Sequence, residues 1–170
     1  VDPEILLLAA EAFHHQQRHG EAISLFQQIS PRDLNAGSRG RYVTTFARSY
    51  LTQRDDENAL KVLERNQKEN LPLEVQQRVS LLLAGIYEGR GDHDRALELY
   101  QTFLADKRVL PERDMAGAYF AMGRISNRMN RYEKARESLN RCIALAERDG
   151  ESKNLYRSAL AEMGNSYYHD

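Results

Sequence analysis

An alanine followed four residues later by a large apolar side chain recurs four times along this sequence. The pairs are Ala22 and Phe26, Ala59 and Leu63, Ala96 and Tyr100, and Ala135 and Leu139. They lie in segments of one pattern: GEAISLFQQI, ENALKVLERN, DRALELYQTF and EKARESLNRC. A step of four places both side chains on one helix face, and the alanines are spaced 37, 37 and 39 residues apart. Twelve residues before each alanine stands another small residue: Ala10, Ala47, Ala84 or Gly123. Three residues beyond these come Phe13, Tyr50, Tyr87 and Ser126. The unit is therefore two helices joined by a short turn. Helices cross closely only where side chains are small, and an aromatic ring fills the space beside the crossing.

The breaks between units agree with this phasing. Pro31, Pro72, Pro111 and Gly150 each fall between one helix pair and the next. Proline suits a first helical turn and stops the helix before it. Asp2-Pro3-Glu4 reads as N-cap, first helical residue and dipole-favoured acid. The pattern predicts helices near 4–18, 20–30, 40–53, 56–69, 73–89, 93–107, 112–129, 132–149 and 152–168. The last is a fifth copy of the first helix, with Leu160, Met163, Gly164 and Tyr167 in register.

In this register the sequence resembles the tetratricopeptide repeat. The stretch LLLAGIYEGRGDHDRALELY places Ala84, Tyr87, Gly91, Ala96 and Tyr100 at the family's positions. The stretch AMGRISNRMNRYEKARESL does so with Gly123, Tyr132 and Ala135. The resemblance covers nearly the whole chain. It implies an all-α fold, a right-handed solenoid of antiparallel helix hairpins: four hairpins plus one extra helix in a single array. The units fall near 3–34, 40–71, 77–110 and 116–149, with a half-unit at 152–170. They exceed the family period of about 34 residues. The family's early tryptophan is replaced by Leu6, Val43, Ser80, Tyr119 and Leu160. Leu160, Met163 and Tyr167 lack a partner helix, and Ile5 to Leu8 is more apolar than a solenoid cap. The array is therefore expected to continue in both directions.

Composition narrows the function. Lys+Arg is 24 against Asp+Glu 25, so the chain lacks the basic excess of a general nucleic-acid binder. The apolar run Ile5 to Ala10 is far too short to span a bilayer, and no membrane insertion of this segment is expected. Cys142 is the sole cysteine, which excludes an intrachain disulfide and a zinc site of several thiolates. No targeting signal separates a cytoplasmic from a periplasmic setting.

Few side chains are placed for chemistry. Glu11, His15 and His19 fall at i, i+4 and i+8, with His14 beside them. The outer two lie roughly 12 Å apart along a helix axis, too far to share an ion whose ligands sit about 2 Å away. Solvated helix surface is expected there, and no metal or other cofactor is assigned. Arg90-Gly91-Asp92 falls in a hairpin turn, where glycine eases the backbone and aspartate caps the next helix. Asp55-Asp56-Glu57 suits a helix N-terminus. Cys142 falls where the family packs small residues and is expected to be buried and inert. No Ser-His-Asp, HExxH, CxxC or phosphate-loop signature is present, so no enzyme and no catalytic residue is expected.

The resemblance implies a protein–protein interaction scaffold binding a peptide segment or partner protein along a concave face lined by first helices. Carried onto this chain, the face opens with Glu4, Leu7, Glu11 and His14. It continues with Arg41, Thr44 and Arg48, then Arg78, Leu81 and Glu88. Phe120, Arg124, Asn127 and Arg128 follow, and Asn165 ends it. Arg41, Arg48, Arg78 and Arg124 recur there, and guanidinium forks suit an acidic, carboxylate-bearing segment. The carboxylate clamp of chaperone-tail binders needs Lys and Asn at positions held here by Leu7, Glu11, Thr45, Arg78 and Leu82, so that function is not carried over. Family analogy offers a bacterial assembly, secretion or exopolysaccharide-export complex as the setting. The open array ends offer a route to self-association. The alternative is a ligand- or peptide-sensing regulatory domain attached to an output domain.

Overall fold

A computed structural model of the chain describes residues 1–67, 71–105, 110–149 and 152–169. Among them stand nine α-helices, one 3-10 turn and no strand. The helices are α1 (Pro3–His15), α2 (His19–Phe26), α3 (Ala36–Thr52), α4 (Asp56–Gln67), α5 (Leu73–Gly89), α6 (His93–Phe103), α7 (Glu112–Arg128), α8 (Tyr132–Arg148) and α9 (Lys153–Tyr168). They divide into two compact units, Val1–Ile86 and Tyr87–Asp170, the division falling inside α5. In the first, α1 packs on α2, and α3 packs on α1, α2 and α4. In the second, α8 packs on α7 and α9, and α7 also meets α6 and α9.

The repeated small residues sit inside. Ala10, Ala22, Ala47, Ala59, Ala84, Ala96 and Ala135 are all fully buried, as are their large partners Phe26, Leu63 and Leu139. Gly123 marks a very close crossing. A Cβ there would lie 2.5 Å from Leu139 Cγ and 3.3 Å from the Ala135 carbonyl oxygen, so α7 and α8 meet at a distance no larger side chain permits.

All four hairpin turns close alike. Gln17, Arg54, Gly91 and Asn130 occupy the left-handed region, with φ of 64°, 60°, 79° and 56°. Each N–H reaches the carbonyl three residues back, and the following N–H reaches the carbonyl five residues back, as in Arg18 to Phe13 at 2.9 Å and Arg131 to Ser126 at 2.8 Å. This is the Schellman closure, which satisfies the last carbonyls of the first helix. Left-handed backbone costs a non-glycine residue about 1–2 kcal/mol, partly offset by the greater unfolded-state freedom of glycine. Arg54→Gly is expected to stabilise the chain by about 0.5–1 kcal/mol, read as a rise in the urea midpoint.

One expectation changes. α2 ends at Phe26 and α3 starts at Ala36, not near 30 and 40. Asn35 is the reason: its side chain accepts from Ser38 N–H at 3.0 Å as an N-cap, while Pro31–Asp33 forms the 3-10 turn. The register of α9 is that of the other first helices. Leu160 and Tyr167 are exposed, whereas Ala159 and Ser166 are fully buried. Ser166 Oγ donates to the Tyr132 carbonyl at 3.0 Å, and a Cβ on Gly164 would meet nothing within 4 Å. Ala159 and Ser166 stand five residues before and two after Gly164, as the buried Ala118 and Ile125 stand to Gly123, so α9 keeps the register expected of it. Gly150, expected as a break, lies outside the described residues.

Candidate partner-binding face

The polar residues of the first helices are extensively bonded to one another. Counting from each helix's small crossing residue, His14, Glu88 and Asn127 share one position, four residues on. Each bonds to the first helix of the next hairpin. His14 Nδ1 lies 2.8 Å from Ser49 Oγ. Glu88 accepts from Arg124 Nε at 3.1 Å and from the Tyr100 hydroxyl at 3.0 Å. Asn127 Nδ2 donates to the Glu162 carbonyl oxygen and carboxylate at 2.9 and 3.0 Å. Arg41 grips Glu11 with both arms of its guanidinium, Nε to Oε1 at 2.9 Å. At the helix starts, Glu4 accepts from Asn35 Nδ2 at 2.9 Å and from Ser38 Oγ at 2.6 Å.

These bonds sort the expected partner-binding residues. Arg41 and Arg124 are engaged by Glu11 and Glu88, and Arg124 also stands over the Phe120 ring at 5.5 Å. Leu7, Thr44 and Glu88 lie inside, the Thr44 hydroxyl donating to the Gly40 carbonyl at 3.0 Å. Leu81, Phe120 and Asn127 are half-buried, and Arg48, Arg78, Arg128 and Asn165 are exposed. Arg48 and Arg78 pair with no carboxylate among the described residues. Their helices lie side by side: a Cβ on Gly40 of α3 would sit 2.5 Å from Val75 Cγ2 of α5.

The histidines form a cluster at the α1–α2 turn. His14 stands edge-on to His15 and His19, with ring centroids 5.7 and 4.9 Å away. Ser49 Oγ donates to the Thr45 carbonyl, so His14 Nδ1 is the donor to Ser49. Burial holds the His14 pKa below its usual 6.5, aided by His19, His15 and Arg48 and opposed by Glu11. A histidine whose folded pKa is depressed stabilises the fold above its unfolded pKa, and that contribution is lost as pH falls. The thermal midpoint is therefore expected to fall between about pH 7.5 and pH 5.5, less steeply in His14→Gln. Among the described residues no three His, Cys, Asp or Glu side chains converge to hold a metal.

The tetratricopeptide-repeat family model matches residues 76–148. Over those residues the chain is similar to the tetratricopeptide repeat. Tetratricopeptide repeat protein 29 of Trypanosoma brucei brucei is 25% identical over 189 residues, covering 98% of this chain and 37% of that protein. The chain thus spans little more than a third of that relative's length. The TPR-like repeats of a Podosopora anserina kinesin light chain-type protein superpose with a TM-score of 0.73 at 19% identity, over 99% of this chain and 88% of that one. The MamA protein does so with a TM-score of 0.67 at 15% identity, over 99% and 91%. At these identities the likeness is one of fold: an all-α array of helix hairpins like that of tetratricopeptide-repeat proteins. That fold is generally a protein–protein interaction scaffold, and its members are typically non-enzymatic.

In the tetratricopeptide register the remaining motifs become structural. Asp92 caps α6, accepting from Arg95 N–H at 3.4 Å, and Gly91 supplies the turn. Asp55 accepts from Asn58 N–H at 3.1 Å, and that residue's hydrogen bonds hold its carboxyl below the usual range. Cys142 is fully buried, and burial pushes its thiol up to about 11, away from the thiolate that reactivity requires. No helix among the described residues is long and apolar enough to cross a membrane.

Proposed function

We propose that the chain binds a carboxylate-bearing segment of a partner protein on the first-helix face of α3 and α5, within residues 1–86. The observation that carries this reading is the division among the arginines. Arg41 is neutralised by Glu11, whereas Arg48 and Arg78 are exposed and unmatched among the described residues. Two guanidinium forks on neighbouring helices can each take a carboxylate bidentately. A solvent-facing pair contributes only about 0–1 kcal/mol, so affinity also draws on the half-buried Leu51 and Leu81 nearby in sequence.

Selection of short random peptides against the intact chain tests this. Recovered peptides are expected to include a class rich in Asp and Glu that binds Arg48→Glu/Arg78→Glu at least about tenfold more weakly. Equal affinity for that variant, with an unchanged thermal midpoint, would remove the reading.

A further inference from the structure

A second surface, independent of that reading, lies within residues 87–170. Between α6 and α8, floored by α7, runs a cleft of about 420 Å³, inside the size range of ligand-binding clefts. Leu97, Leu104 and Met122 give it an apolar floor, with Leu97 and Met122 partly open to solvent. Arg131, Lys134 and Arg141 line it against a single acid, Glu137. Arg141 holds Glu137 at 2.8 Å, and Arg131 reaches the exposed Asp94 only at 3.5 Å. Lys134 is exposed and makes no hydrogen bond or ion pair among the described residues. It sits in the first turn of α8, where the helix dipole disfavours a cation, so the helix's own stability does not account for it.

The geometry points to this cleft as a docking site for an acidic peptide segment of a partner protein. The segment seats an apolar side chain on Leu97 and Met122 and lays its carboxylates against Arg131, Lys134 and Arg141. Charge complementarity selects the sign of the occupant. The apolar floor selects a peptide over a bare inorganic anion, which would gain nothing from Leu97 and Met122. The cleft-facing residues of α7, Tyr119, Met122 and Ser126, step at i, i+3 and i+7. They form a different stripe from Phe120, Arg124 and Asn127, so this surface can be altered without touching the first-helix face.

The test is peptide selection on the intact chain with counter-selection on Lys134→Glu, a variant that loses no bond within the fold. Recovered peptides are expected to join Asp or Glu to Leu, Phe or Trp. Their affinity, read by fluorescence anisotropy, is expected to fall at least about tenfold in Lys134→Glu and several-fold in Met122→Gln. It is expected to stay within about twofold in Arg48→Glu/Arg78→Glu. Three outcomes overturn the proposal: no peptide distinguishes wild type from Lys134→Glu; recovered peptides lack acidic residues; or pyrophosphate, used as a probe, binds the cleft equally well in wild type and Met122→Gln while peptides do not. Loss of peptide binding in Arg48→Glu/Arg78→Glu alone would support the first-helix site and sink this one.

Discussion

Phe26→Ala is expected to destabilise the first unit by about 3–5 kcal/mol, the range for removing a buried aromatic side chain. Phe26 is fully buried and organises an aromatic core contributed by two helices. Its ring stacks on Phe46 with centroids 5.1 Å apart and meets Tyr42 edge-on at 5.8 Å. Phe46 in turn lies 5.0 Å from Tyr50. Truncation removes the apolar contact area and leaves a cavity that three rings on one helix cannot close without leaving their rotamers. Whole domains hold only about 5–15 kcal/mol, so this change consumes a large share. Urea unfolding followed by circular dichroism reads it directly. Gln27→Ala, at the exposed neighbour, is expected to stay within about 1 kcal/mol. A shift for Phe26→Ala no larger than that would show that the repeated large residue is not a core position.

The second large effect lies at the α7–α8 crossing. Gly123→Val is expected to cost about 3 kcal/mol, the upper part of the usual range for overpacking a core. Even the first added carbon would sit 2.5 Å from Leu139 Cγ and 2.7 Å from Cδ2. Leu139 is fully buried, so its side chain cannot swing into solvent, and the Ala135 oxygen at 3.3 Å is backbone. The better helix propensity of valine offsets only a few tenths of a kcal/mol of this. Because one contact causes the penalty, Leu139→Ala should relieve it. The double variant is expected to be more stable than the sum of the two singles by about 1–3 kcal/mol. Additive single effects would mean that α7 and α8 do not cross at Gly123.

These two sites show why the fold was legible. Close crossing of two helices demands a small residue, and the adjoining space demands a large one; Ala22 with Phe26 and Gly123 with Leu139 are direct traces of that demand. Turn closure was less legible. Gly91 and Asn130 are residue types that favour a left-handed backbone, whereas Gln17 and Arg54 adopt it without that signal, because the Schellman hydrogen bonds impose it at that place. α9 buries Ala159 and Ser166, at the places that Ala118 and Ile125 hold in α7, in the register the spacing predicts. The Asn35 cap was overlooked, and the start of α3 moved with it.

The candidate face was legible in position but not in charge state. Helical spacing places Arg41, Arg48, Arg78 and Arg124 on first helices. Spacing within one helix cannot say which carboxylate the next hairpin brings alongside, and Glu11 and Glu88 answer two of the four. The basic cleft was not anticipated at all. Its floor and rim come from α6, α7 and α8 together, so no single periodic stripe announces it. Its one local signal is Lys134, a cation in a first helical turn where an acid is the norm.

Amide-resolved nuclear magnetic resonance of the intact chain, titrated with a selected acidic peptide that binds Lys134→Glu as tightly as wild type, tests the central claim most directly. Chemical-shift changes are predicted to concentrate on α3 and α5 around Arg48 and Arg78, and to vanish in Arg48→Glu/Arg78→Glu while the rest of the spectrum is unchanged. Changes that miss α3 and α5, or that persist in the charge-reversed variant, would contradict a partner-binding role for the first-helix face.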